Sequence, residues 1–461
     1  MNELEIPQTW TQTTLGKIAQ VDSGIGFPNE YQGITSGDLP FFKVGDVSNA
    51  VLNNKGRLTV GKHYVSREVA NILRGKPLKP GSTVFAKIGE AIRLNRRGYV
   101  TTDCLIDNNV MAVKAVLDES DRYIHYFLRT VQFTDVLRAT TVPSLRKGDV
   151  EELQVPLAPL PEQKRIADKL DSALARVDAC RDRLDRLPAL LKRFRQSILA
   201  AATSGALTTD WRAPFPTTTL SGKITSLPQS WREVTFSEVC HEITVGYVGK
   251  MADQYQADGI PFLRSMNIRA FRFDRKGLLH ISPEFHKQVA KSTLRPGDMA
   301  IVRSGAPGVC CVIPDELQEA NCSDLVIARP TPELLPQYGC IFMNSTFAAD
   351  FVNANKVGVA QAHFNVGSMK ITPLPLPPLP EQTEIVRRVQ LLFAFADRLE
   401  ARLAAARRQI GQLTPALLAK AFRGELVPQD PADEPAAELL KRLAAQREAA
   451  PKARRGRASK A

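Results

Sequence analysis

"PLAPLPEQ" (156–163) and "PLPPLPEQ" (375–382) are one phrase written twice, 219 residues apart. The two halves of the chain align outward from it in the same order. "IPQTW" (6–10) matches "LPQSW" (227–231), and "LPFFKVGDV" (39–47) matches "IPFLRSMNI" (260–268). "LKPGSTVFAKIG" (78–89) matches "LRPGDMAIVRSG" (294–305), and "SGAL" (204–207) matches "RGEL" (423–426). The period is too long for a solenoid. The chain reads as a duplication, A–B–A′–B′, with mixed-pattern A units and helical B units.

Each proline phrase opens a B unit. From Ile166, alternate steps of four and three land on Ile166, Leu170, Ala173, Val177, Cys180, Leu184, Leu187, Leu191, Phe194 and Ile198. The same steps from Ile385 land on Ile385, Val389, Leu392, Ala396, Leu399, Leu403, Ala406, Ile410, Leu413 and Leu417. All are apolar in a chain that is 44% apolar, which marks a heptad seam. Pro161 and Pro380 suit a first helical turn, Glu162 and Glu381 its positive end, and Gly205 and Gly424 the stop. A helix of about 38 residues, ~57 Å long, follows for each, with a kink expected near Pro188 and Pro415. Two matched seams in one chain most simply bury each other as an antiparallel coiled coil, giving an internal pseudo-twofold repeat. The alternative is a helix packed on its own domain.

In the A units, short β-like runs such as "STVFAKIG", "NNVMAVKAV", "DMAIVRSG" and "DLVIARP" alternate with turn residues, and one helical stretch follows in each. The expected fold class is α/β (α+β), in two copies. The expected domains are 1–155, 156–210, 211–374 and 375–430, with a disordered basic tail at 431–461. Matched places carry different polar residues. Lys43 and Asp46 face Arg264 and Asn267, Lys87 faces Arg303, and "SLRKGD" (144–149) faces "AHFNVGS" (362–368). Such side chains read base edges or hold phosphates. The candidate contacts are Lys43, Asp46, Lys87, Arg93, Ser144, Arg146 and Lys147 in the first unit. In the second they are Arg264, Asn267, Arg269, Arg303, Ser304, His363 and Asn365.

A net charge of +13 favours a polyanionic partner. Residues 431–461 hold 8 basic and 4 acidic side chains, so +4 of the surplus lies there and +9 elsewhere. No apolar run is long enough to span a membrane and no signal peptide opens the sequence, so a cytoplasmic protein is expected. The seven cysteines lack zinc spacing and read as reduced thiols. "GRLTVGKH" (56–63) approaches a P-loop but ends in His63 where Ser or Thr holds magnesium. Neither a hydrolase elbow nor a metalloprotease helix is present, and no metal site or catalytic residue is expected.

The two "PL(A/P)PLPEQ" phrases, the helices after them, and the closing "SILAAATSGAL" and "LLAKAFRGEL" resemble the specificity (S) subunit of type I restriction–modification enzymes. The resemblance spans nearly the whole chain. It implies that the A units are target-recognition domains, each reading half of a split asymmetric site in double-stranded DNA. It implies that the helices are spacers that dock two methyltransferase (M) subunits and, where present, two restriction (R) subunits. S-adenosylmethionine would then belong to the M subunits, ATP and magnesium to the R subunits, and no cofactor to this chain. The competing readings are a coiled-coil adaptor without DNA readout and a degenerate NTPase using Lys62.

Overall fold

The computed structural model describes residues 6–136, 143–212, 227–355 and 363–449. It divides into two compact units, Met1–Arg183 with Ala406–Ala461, and Leu184–Ala405. Both boundaries fall inside long helices, Leu160–Ser204 and Leu379–Phe422. At 45 and 44 residues these are longer than the expected 38 or so, and both run through their prolines, Pro188 and Pro415, which are exposed.

In the first unit a sheet runs in the order Ala19–Ser23, Val110–Ala115, Thr83–Ala86, Gly98–Val100, Arg57–Leu58. A second sheet has the order Tyr64–Val65, Leu39–Phe42, Leu105–Ile106. In the second unit the order Cys240–Val245, Leu325–Pro330, Met299–Val302, Cys310–Val312 recurs, and Leu279–Ile281, Ile260–Leu263, Ala320–Cys322 recurs within the other sheet. Helix Asp121–Thr130 in the first unit and Pro336–Met343 in the second pack into the corresponding cores through Tyr123 and Tyr338, both fully buried. The architecture is mixed α/β with two long helices.

Those helices pack together. In the first unit Ile166, Leu170 and Leu174 near the start of one share a core with Leu418, Ala421 and Phe422 at the end of the other. In the second unit Ile198, Leu199 and Ala202 share a core with Ile385 and Val389. Start meets end in both units, so the paired stretches run in opposite directions. The seam is not uniform. Ile166, Leu170, Val177, Ile385 and Leu403 are buried; Leu184, Leu191, Leu392, Leu399 and Ile410 are half-buried; Cys180, Leu187 and Leu413 are exposed.

The repeated phrase has a structural explanation. Its first half is a strand. Gln154–Leu157 pairs antiparallel with Thr11–Thr14, and Pro373–Leu376 with Arg232–Thr235. These are two-stranded ribbons, where prolines remove no bond from a sheet interior. Its Glu then turns inward. The Trp10 indole donates to Glu162 Oε2 at 2.9 Å, and the Trp231 indole to Glu381 Oε2 at 2.9 Å. Gln163 donates to the Ala158 carbonyl (2.8 Å), and Gln382 to that of Pro377 (2.9 Å). Tyr123 and Tyr338 donate to the Pro156 and Pro375 carbonyls. Each long helix stops at a left-handed glycine, Gly205 (φ 82°) or Gly424 (φ 74°). A Cβ there would sit 2.5 Å from Pro228 Cγ or 2.3 Å from Pro7 Cγ, the prolines of "LPQSW" and "IPQTW". Only glycine satisfies both the backbone and the fit.

The second carboxylate oxygen differs between the two joins. Glu162 Oε1 accepts from the Gln429 amide at 2.6 Å. Glu381 Oε1 accepts from Thr208 (2.7 Å) and from the buried guanidinium of Arg212. Burial raises the Glu162 carboxyl above the ordinary carboxylate range, against the pull of its hydrogen bonds from Trp10 and Gln429.

One expectation is corrected. Residues 431–461 are not a disordered tail throughout. Ala436–Ala449 is a helix, and its Ala436, Leu439 and Leu443 lie in the first unit's core. Their three- and four-residue spacing gives one apolar face. Asp433, just before it, pairs with Arg165 of the first long helix at 2.6 Å. The closing "KARRGRASKA" lies outside the described residues.

Candidate nucleic-acid interface

Both units bring the expected contact residues to one cluster of strand ends. In the first, strands Leu39–Phe42 and Thr83–Ala86 stop at Lys43 and Lys87. Phe42 O accepts the Asp107 N–H (2.9 Å) and Lys87 N–H donates to Asn109 O (2.9 Å), so the turn 107–109 ties the two ends together. Lys87 O accepts the Leu145 N–H (2.9 Å), Gly89 N–H donates to Pro143 O (2.8 Å), and Ile88 bridges Ser144. This lays 143–147 beside 87–93. Arg146 caps the short helix Lys147–Glu151, and Arg146, Lys147 and Arg93 are exposed. Arg93 pairs with Glu90 (3.0 Å), and Lys147 lies 3.6 Å from Glu151. The Lys43 ammonium donates to Gln32 Oε1 at 3.0 Å. These partners are exposed or half-exposed, and such pairs exchange readily for a phosphate.

The second unit repeats the backbone and changes the side chains. Leu263 O accepts the Ser323 N–H (3.0 Å), and Arg303 O accepts the Phe364 N–H (3.1 Å). Ser304 Oγ and His363 Nδ1 are 2.7 Å apart. Arg264 donates to Gly277 O (3.0 Å), and Arg303 pairs with Asp324 Oδ1 (3.3 Å). Asp324 holds a left-handed φ of 53°. The Nε atoms of Arg264 and Arg303 are buried and have no hydrogen-bond partner among the described residues. Arg269 is exposed, 3.6 Å from Asp274. Asn365 caps helix Val366–Lys370, its Oδ1 accepting the Ser368 N–H at 2.8 Å.

One expected contact is corrected, and a second has a structural bond of its own. Asn267 is fully buried; its Oδ1 accepts the Arg264 N–H (3.0 Å) and its Nδ2 donates to Asp274 O (3.0 Å) and Lys276 O (3.3 Å). No part of it is exposed to solvent. Asp46 uses Oδ2 to accept the Lys43 N–H (2.8 Å), which caps helix Val44–Asn53. Both hold the loop that presents Lys43 or Arg264. Lys62 precedes a strand, Tyr64–Val65, so no phosphate-cradling helix begins there. The residues missed from sequence are Asp107, Asn109 and Asp324. Their signal was an acidic–polar turn at the head of "NNVMAVKAV" (108–116) and "DLVIARP" (324–330).

The profile of the family described as "Type I restriction modification DNA specificity domain" matches residues 7–188 and 336–406. The chain belongs to this family. It is 32% identical over 474 residues to the type I restriction enzyme EcoKI specificity subunit of Escherichia coli (strain K12), covering 97% of this chain and 98% of that one. It is 29% identical over 465 residues to the EcoBI specificity subunit of Escherichia coli, covering 97% and 94%. Among solved structures, the HsdS subunit from Thermoanaerobacter tengcongensis superposes with a TM-score of 0.59 at 20% identity, over 92% of this chain and 99% of the other. A chain from a study of type I R-M complex assembly and conformational transition superposes at 0.62 and 19% identity, over 92% and 100%. These superpositions show the same fold. Among the described residues no helix is long and apolar enough to cross a membrane, and no group of His, Cys, Asp and Glu is placed to hold a metal.

Proposed function

We propose that this specificity subunit reads a bipartite, asymmetric DNA target, with one half-site for each A unit. The observation that carries the reading is the recurrence of one loop cluster with different side chains: Lys43, Lys87, Ser144 and Arg146 in one, Arg264, Arg303, Ser304 and His363 in the other. Matched scaffolds with unmatched polar groups suit two half-sites of different sequence. The proposed domains are 1–155 and 211–374 for recognition, with 156–210 and 375–430 as spacers that set the gap. The helices dock M subunits, which bring S-adenosylmethionine and adenine-N6 methylation, and R subunits where they exist, which bring ATP and magnesium. This chain supplies geometry and sequence choice.

Methylation mapping tests the reading. The complex should modify one split motif, and deleting the chain should abolish that modification. An unchanged map would sink the proposal. Arg303→Ala should relax selectivity at one half-site by about 1–3 kcal/mol, whereas equal weakening on all sequences would mark a phosphate contact instead. A coiled-coil adaptor would give no sequence-selective band in gel shifts with competitor DNA at physiological salt.

A further inference from the structure

Two arginines of the first unit, one buried and one half-buried, differ in a way that points to a ligand. Arg97 is 5% exposed, and four of its five guanidinium N–H groups find acceptors. It donates to Leu128 O (3.1 Å), Arg96 O (3.2 Å), Asn95 Oδ1 (2.8 Å) and Val131 O (3.0 Å), and stacks 3.9 Å from the Phe133 ring centre. Arg129 is half-buried and has only the Tyr126 ring, 5.6 Å away. Among the described residues it makes no hydrogen bond and no ion pair. Burial lowers its pKa, as it does that of Arg97, against the through-space pull of Tyr126, Asp178 and Asp171. A desolvated charge without a partner is costly, and an absent ion is one of its ordinary explanations.

Arg129 lines a cavity of about 290 Å³ together with Lys55, Arg57, Tyr99, Arg122 and Asp171. The remaining charges there show what is spare. Arg122 is occupied by Asp168 (2.7 Å) and Asp171 (2.6 Å), and Asp178 by Arg181 (3.1 Å). Lys55 and Arg57 are exposed and have no anion among the described residues. His125, in the same wall, is buried against Thr83 Oγ1 (3.1 Å) and the Tyr99 ring (5.1 Å between ring centres), and stays neutral. Four cations (Lys55, Arg57, Arg122, Arg129) and two carboxylates (Asp171, Asp178) therefore line the cavity, a surplus of two positive charges.

We propose that this cavity binds a phosphate or diphosphate group, with Arg129 beneath it and Lys55 and Arg57 at its mouth. A carboxylate would cancel half of that surplus, whereas a phosphate dianion matches it and offers acceptors to several donors at once. Nothing in the DNA-reading clusters is needed for this site, since none of its residues is among the candidate contacts. The group can come from a free phosphorylated molecule or from a nucleic-acid backbone, and the test separates these sources.

The probe is inorganic pyrophosphate, titrated calorimetrically into the full chain at physiological salt. Saturable one-site binding is expected. Arg129→Gln should weaken it at least tenfold, and Arg57→Gln should weaken it measurably with an unchanged melting temperature. Lys441→Gln, an exposed cation on the C-terminal helix, should stay within twofold. Repeating the titration with a saturating DNA duplex separates the sources: lost binding assigns the site to backbone phosphate, and retained binding assigns it to a free ligand. Absent binding, or equal weakening by all three substitutions, overturns the proposal. Arg57→Gln keeps the test valid if Arg129→Gln fails to fold.

Discussion

Glu162→Gln and Glu381→Gln are the same substitution at matched positions, and the structure assigns them different costs. Glu381 is 1% exposed and pairs with Arg212, itself 7% exposed, while also accepting from Thr208 and Trp231. Its neutral replacement leaves a buried guanidinium without its anion, a loss of about 3–5 kcal/mol. Glu162 is equally buried but is bonded to the neutral Gln429 and Trp10; the nearby Arg165 is engaged by Asp433. There Gln keeps the Trp10 bond and relieves the desolvation of a charge, so the cost is about 1 kcal/mol. A single unfolding free energy is poorly defined for a chain of two units, so local opening is the proper measure. Amide hydrogen exchange in Arg232–Thr235 should accelerate by about two to three and a half powers of ten in Glu381→Gln, at 1.4 kcal/mol per decade. In Thr11–Thr14 it should accelerate by about one power of ten or less in Glu162→Gln. Adding Arg212→Met to Glu381→Gln should restore most of the protection, because it removes the stranded charge. Equal acceleration at the two joins, or no rescue, would refute the reasoning.

Acid should loosen the first unit through His125, which burial and then the charges of Arg129 and Arg97 push down to about 3. A depressed histidine contributes its stability fully above about 6.5 and loses it as the pH falls toward 3, with a ceiling of roughly 5 kcal/mol. His125→Phe should flatten the dependence of urea midpoint on pH between 7 and 4, and parallel curves would exclude the effect. Leu403→Asp buries a charge at a position 8% exposed, and should cost about 2 kcal/mol or more. Leu413→Asp, at 45% exposed, should cost under about 1 kcal/mol, compared by denaturant midpoint. Leu443→Asp should destabilise the first unit although it lies near the C-terminus, visible as faster exchange in helix Asp121–Thr130.

Much of the fold was legible because it rests on periodicity, which survives in one dimension. The heptad steps, the paired phrases and the glycine stops all report local backbone demands, and the helices begin and end close to where those signals fall. Burial along the seam was less legible, since Cys180, Leu187 and Leu413 fit the pattern yet face water. A heptad identifies a face, and what covers that face is a tertiary matter. The C-terminal helix was hidden by averaging. A charge count over 431–461 obscures the apolar face formed by Ala436, Leu439 and Leu443.

The candidate interface was legible as a place and poorly legible as a set of side chains, for a chemical reason. Asn and Asp bond a backbone N–H as readily as a base edge. Asp46 and Asn267 have the composition of readers, yet they accept from the N–H groups of Lys43 and Arg264 and so shape the loops that present those cations. Arginine and lysine are less ambiguous, because a buried cationic side chain needs acceptors, as Arg97 has in Leu128 O, Asn95 Oδ1 and Val131 O. Position in the fold then sorts the cations that sequence groups together. Those at the clustered strand ends are the proposed DNA readers, Arg212 holds a join, and Arg129 is left over. The leftover is informative because Arg122 and Arg97 have hydrogen-bonded partners within the unit, while Arg129 has none among the described residues.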